Sequence, residues 1–139
     1  MLEFLGMEFP QVFGDAPEVA LEYVGHGEAH IRLLTGDKHL RPGGTVSGPA
    51  MMMLVDCTAY VAVLSVIGKV ALAVTTNLNI NFLRKPPRED IVCVARPLKI
   101  GKSLIIMEAE IYRAGDPDKI TVAHATLTYS IPPQRAQAG

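Results

Sequence analysis

Between Arg41 and Lys69 the chain carries one charge, Asp56. From Ala50 to Ile67 there is neither glycine nor proline, and alanine, methionine and leucine favour helix, so the pattern predicts a helix over 50–67. Ser47-Gly48-Pro49 supplies its start. Pro49 suits the first helical position, where its missing N–H is no loss, and Ser47 or Gly48 would be the cap. Gly68 suits the stop, with Lys69 at the negative end of the dipole. The helix is apolar on nearly every side, so it must be covered on most of them. A bilayer span needs ~20 such residues. The acid near the centre, Gly-Pro at the start and the alternating segments that follow favour a helix buried against a sheet.

On either side of this helix the period is two. Val19 to Val24 alternates loosely, Gly25-His26-Gly27 is a turn signal, and Glu28 to Leu34 places Ala29, Ile31 and Leu33 on one face; together they predict a hairpin. Thr35 to Thr45 reads as a loop that delivers the chain to the helix. After it, Leu72 to Arg84 sets Leu72, Val74, Thr76, Leu78, Ile80 and Phe82 against Ala73, Thr75, Asn77, Asn79 and Asn81. The asparagine face is unusual for a strand and reads as either a wet face or a hydrogen-bonding surface in an assembly. Arg84-Lys85-Pro86-Pro87 ends that strand. Asp90 to Lys99 is the next, with Pro97 marking an edge, an end or a bulge. Ser103 to Arg113 follows the Gly101-Lys102 turn, with Leu104 and Ile106 set against Glu108 and Glu110. Lys119 to Ile131 is the last strand. Four strands on short turns predict an antiparallel meander. The expected class is α+β, a curved antiparallel sheet wrapped on a central helix. Residues 1–14 are expected to form a short amphipathic helix docking Phe4, Leu5 and Phe9, and the tail after Pro133 to fray.

The 139 residues suit one domain. A net charge of −1 with no dense basic run argues against a nucleic-acid face. Cys57 and Cys93 have neither metal-ligand spacing nor the makings of a disulfide framework. The first ten residues carry Glu3 and Glu8 in place of a basic run, so no secretory signal is read there and a cytoplasmic location is expected. The four histidines have no spacing that suggests a metal; His39, in the loop before the helix, is the one worth testing. An apolar excess with no tryptophan points to buried subunit contacts as well as a core.

Three stretches carry a family resemblance: Gly48 followed eight residues later by Asp56, then Thr75-Thr76-Asn77-Leu78-Asn79-Ile80-Asn81-Phe82-Leu83-Arg84, and Ala123-His124-Ala125-Thr126. In this layout, from about His39 to Pro132, the chain resembles the hotdog fold. Within it, the chain is similar to the acyl-CoA thioesterases of the phenylacetate-degradation type, in the 4-hydroxybenzoyl-CoA thioesterase superfamily. The resemblance implies Asp56 as the catalytic carboxylate, the Gly48 N–H as the oxyanion donor and Thr75 as a supporting hydroxyl. The family's helix opens with His-Gly-Gly, where this chain has Ser47-Gly48-Pro49. Pro49 offers no N–H, and Ser47 replaces a polar partner.

Eight residues at ~1.5 Å rise put Gly48 and Asp56 about 12 Å apart on one helix, whereas reacting groups must meet within ~3–3.5 Å. Either the two serve different purposes, or two antiparallel helices from twin subunits pair them. The resemblance implies the second, a symmetric homodimer with two equal sites. The strand ending in Arg84, laid against its twin, would hide an exposed edge and supply the interface, and a homodimer doubled to a homotetramer is expected. Asp56 would attack the thioester or draw a proton from water. A structural carboxylate meeting Arg41, and a plain strand threonine at 75, are the plainer alternatives. Substrate contacts are expected from Ser47, Arg41, Met52 and Tyr60, and coenzyme A phosphates are expected to meet Arg84 and Lys102. Met51, Met53, Lys85 and Lys99 have the same chemistry; core packing and a solvated rim are the ordinary readings of all these residues. No cofactor is expected beyond coenzyme A as part of the substrate, and no metal. A non-catalytic acyl-CoA-binding protein of the same fold is the competing function. A hotdog hydratase lacks the aspartate and histidine it would need together near the helix start.

Overall fold

The computed structural model describes residues 17–68 and 73–132. Strand β1 (Val19–Gly25) and β2 (Glu28–Leu33) form the expected hairpin, and a short 3-10 turn at Asp37–His39 leads into helix α1 (Gly48–Ile67). Then come β3 (Val74–Phe82), β4 (Ile91–Ile100), β5 (Leu104–Arg113) and β6 (Ala123–Ser130). His26 and Gly27 turn the hairpin with φ of 51° and 87°, the two-residue geometry that follows strand twist. Gly27 suits the turn on two counts, its φ of 87° and the tight space, since a Cβ there would lie within about 3.2 Å of both Pro97 and Val66.

The six strands form one antiparallel sheet in the order β1-β2-β4-β5-β6-β3. Only β4, β5 and β6 are a meander; β3 pairs with β6 and not with β4, which corrects the four-strand meander. The reason lies in the link from Leu83 to Asp90, whose Pro86-Pro87 cannot close a tight hairpin. The chain crosses instead, and β3 becomes an edge strand.

The sheet curves around α1, as the hotdog resemblance implied. Ala29, Ile31, Leu33, Ile91, Cys93, Ala95, Ile105, Met107, Ala109, Ile111, Ala125 and Leu127 point inward and are buried against Leu54, Val55, Val61 and Leu64 of the helix. α1 has the length and hydropathy of a membrane span, yet 67% of that stretch lies inside the protein. On β5, Leu104, Ile106, Glu108 and Glu110 share the outer face and the odd-numbered residues face the helix, so the expected contrast between the two pairs is not found. β6 starts at Ala123, four residues later than expected, because Lys119 takes φ 50° in the preceding loop. Pro97 marks a bulge. The helix expected over 1–14 and the tail after Pro133 lie outside the described residues.

Candidate active site

The start of α1 is set by its cap. Ser47 is extended (φ −75°, ψ 154°), and its hydroxyl accepts from the Ala50 N–H at 3.2 Å. Its own N–H donates to the His39 carbonyl at 2.8 Å, while the Val46 N–H donates to Pro86 at 2.9 Å. The helix N-terminus is thus clamped between the preceding loop and the β3–β4 link. First-turn N–H groups have no intrahelical partner. Among the described residues nothing accepts from the Gly48 N–H. Gly48 borders a cleft of about 390 Å3 lined by Arg41, Val46, Met51, Phe82, Leu83, Arg84 and Lys85. The Phe82 ring reaches within 3.4 Å of where a Cβ at position 48 would stand, so this wall is already close.

Asp56 is half-buried in the middle of α1. The Thr75 hydroxyl donates to its Oδ1 at 2.7 Å. The Tyr129 hydroxyl points at the same oxygen at 2.9 Å and at the Asp56 backbone carbonyl, also at 2.9 Å. Strict alternation would turn Thr75 away from the helix, because Leu78 and Ile80 face inward and are an odd number of residues away. A bulge at Thr76 resolves this: Thr75 pairs with Tyr129, and the next pair is Asn77 with Thr128. The extra residue brings Thr75 to the inner face without turning Leu78 and Ile80 outward.

Tyr129 is 1% exposed. Burial, aided by the charge of Asp56, pushes its phenol far above the ordinary range, so it stays a donor. Cys57 is adjacent in sequence but is no nucleophile. Burial, reinforced by Asp56, raises its thiol to about 12. Both cysteines are free and buried.

The sequence-derived candidates therefore fall into groups. Asp56 and Thr75 are together. Gly48, Arg41 and Arg84 share the cleft, with Ser47 adjoining as the cap; Arg84 donates to the Thr121 carbonyl. Asp56 is met by hydroxyls, and among the described residues it has no ion pair with Arg41. Tyr60 is buried and packs its ring on Tyr129 with centroids 6.4 Å apart, so it belongs to the core behind Asp56. Met52 is 43% exposed, and it is Met51 that lines the cleft. Lys102 lies in the β4–β5 turn, at the Ser130 end of the sheet, while Arg84 lies at the Ala123 end. Seven strand steps, roughly 23 Å, separate those ends, so Lys102 is remote from the cleft of its own chain. His124 is on the outer face beside Glu108, and His39 is buried beside Glu18. Tyr129 was missed because an inward tyrosine in an alternating strand is ordinary core.

A single antiparallel sheet wrapped on one long central helix defines a hotdog fold. Residues 43–120 match the model of the thioesterase superfamily, and the chain belongs to that superfamily. A Silicibacter sp. TM1040 protein, provisionally described as a thioesterase, is 41% identical over 94% of this chain and 88% of its own, with a TM-score of 0.82. The Escherichia coli PaaI protein of the phenylacetic acid degradation operon is 20% identical over 81% of this chain and 82% of its own (TM-score 0.71). A Streptococcus pneumoniae protein described as a hypothetical thioesterase, in a structure with coenzyme A, is 16% identical over 95% and 97% (TM-score 0.79). The last two speak for the fold alone. No curated protein matches the chain at a significant level.

Proposed function

We propose that the protein hydrolyses an acyl- or aryl-CoA thioester at two equal sites, each made by Asp56 of one copy and the Gly48 N–H of its twin. The observation that carries this reading is the state of the two groups. Asp56 has one oxygen held by hydroxyls while, among the described residues, its Oδ2 has no partner. The Gly48 N–H opens on a cleft rimmed by Arg41, Arg84 and Lys85. The ~12 Å between them along one helix excludes joint action within a chain and is removed by an antiparallel twin. The free edge of β3, with Val74, Phe82 and Leu83 about half exposed, supports such a pairing.

In this site the Gly48 N–H, backed by the helix dipole, holds the carbonyl oxygen as it gains charge. Asp56 attacks the carbonyl carbon, or takes a proton from the water that does. The thiolate of coenzyme A departs and is protonated. Attack by water leaves the free acid directly, whereas attack by Asp56 leaves a mixed anhydride that water then cleaves to the free acid and the Asp56 carboxylate. The basic rim suits phosphates, and the pneumococcal neighbour holds coenzyme A. Pro49, which supplies no N–H beside Gly48, favours the second reading, acyl-CoA binding without turnover.

Thiol release from short, long and aromatic acyl-CoA esters separates the two. Asp56→Asn is expected to lose at least ~100-fold in kcat. Gly48→Pro deletes the donor at the first helical position, where the helix itself makes no use of the N–H, and a similar loss is expected. Coenzyme A binding with no release by the wild-type chain would establish the binder.

A further inference from the structure

Asp56 receives two side-chain donors from two different strands, and both go to the same oxygen. Thr75 comes from β3 and Tyr129 from β6, at 2.7 and 2.9 Å from Oδ1. The two are cross-strand partners only because of the bulge at Thr76. The Tyr129 hydroxyl also reaches the backbone carbonyl of Asp56, so it ties the carboxylate to its own turn of α1. A carboxylate on a helix has two side-chain torsions, and one hydrogen bond leaves it free to swing about that contact. Two donors from fixed strands, one of them also anchored to the main chain, remove that freedom.

We propose that Tyr129 is a positioning residue for the reaction, locking Oδ1 together with Thr75 so that Oδ2 is the oxygen that meets the substrate. This rests on the thioester-hydrolysis reading above. Tyr129 does not touch the acyl group; it acts through Asp56. Its full burial makes it suited to the task, since the phenol cannot ionise at working pH or turn toward water. Hydrogen bonds to an ionised acceptor are roughly twice as strong as neutral ones, which gives the clamp its stiffness.

The test compares the full-length wild-type chain with Tyr129→Phe and Asp56→Asn, following thiol release together with melting temperature and coenzyme A affinity. Phenylalanine removes the hydroxyl and leaves the ring on Tyr60. A positioning role predicts a loss of about tenfold or more in kcat, as expected for a misaimed group, with KM and coenzyme A affinity within about twofold of wild type. A structural role would lower the melting temperature and leave kcat of the folded fraction near wild type. If Tyr129→Phe melts without cooperativity, a chain carrying 4-fluorophenylalanine at 129 keeps the volume and lacks the donor, and the same kcat loss is required of it. An active wild type, an inactive Asp56→Asn and an unchanged kcat without the hydroxyl overturn the clamp and leave the hydrolase reading standing. A wild-type chain that releases no thiol from any ester removes both.

Discussion

At the residue scale, two carboxylates are placed by uncharged donors, whereas Glu18, Asp90 and Glu108 meet cations. Asp56 is held by two hydroxyls, and Asp116 by two main-chain N–H groups. The Asp116 carboxylate accepts from Asp118 at 2.9 Å and from Ile120 at 3.1 Å, closing the loop before β6. The Ile120 N–H first, then that of Asp118, holds its pKa below the ordinary 3.8. A depressed folded value means that the stabilisation is fully present above 3.8 and is lost as pH falls below it through the folded value. Asp116→Asn is therefore expected to melt at lower temperature near neutrality and to show a shallower loss of stability in acid. Melts between about pH 7 and about pH 2 check this, and an unchanged acid slope would count against the assigned hydrogen bonds.

At the scale of elements, the helix start and the edge strand decide the site. Ser47 stabilises the helix end while the Gly48 N–H stays open, so the cap and the donor are neighbours with separate duties. Ser47→Ala is expected to cost about 1 kcal/mol in urea unfolding, the usual worth of a serine cap. A change within ~0.3 kcal/mol would mean that the cap is supplied elsewhere. The helix and most strands were legible because their signals are local: an unbroken apolar run, alternation, and Gly or Pro at the turns. The bulge was not. Thr75-Thr76-Asn77 gives no local reason to insert a residue, and the insertion is stabilised by what Thr75 reaches 19 positions away.

At the scale of the whole molecule, a site divided between twins predicts complementation. Asp56→Asn and Gly48→Pro chains, each inactive alone, are refolded as an equal mixture. Half of the dimers are then mixed, and each mixed dimer carries one intact site, so about one quarter of wild-type turnover is expected. No recovery, with mixed dimers shown by mass, would place both groups in separate roles.

Periodicity and composition alone determined one buried helix with a single acid, a glycine at its start, and a strand, β2, whose inner face follows simple alternation. Those are properties of neighbouring residues, and sequence records neighbours directly. The tertiary structure decided the placement of β3 beside β6, the bulge that turns Thr75 inward, and the meeting of Tyr129 with Asp56 across 73 residues of chain. These are contacts between distant segments, selected by which packing buries the most apolar surface and satisfies the acid at once, and no local pattern encodes that choice.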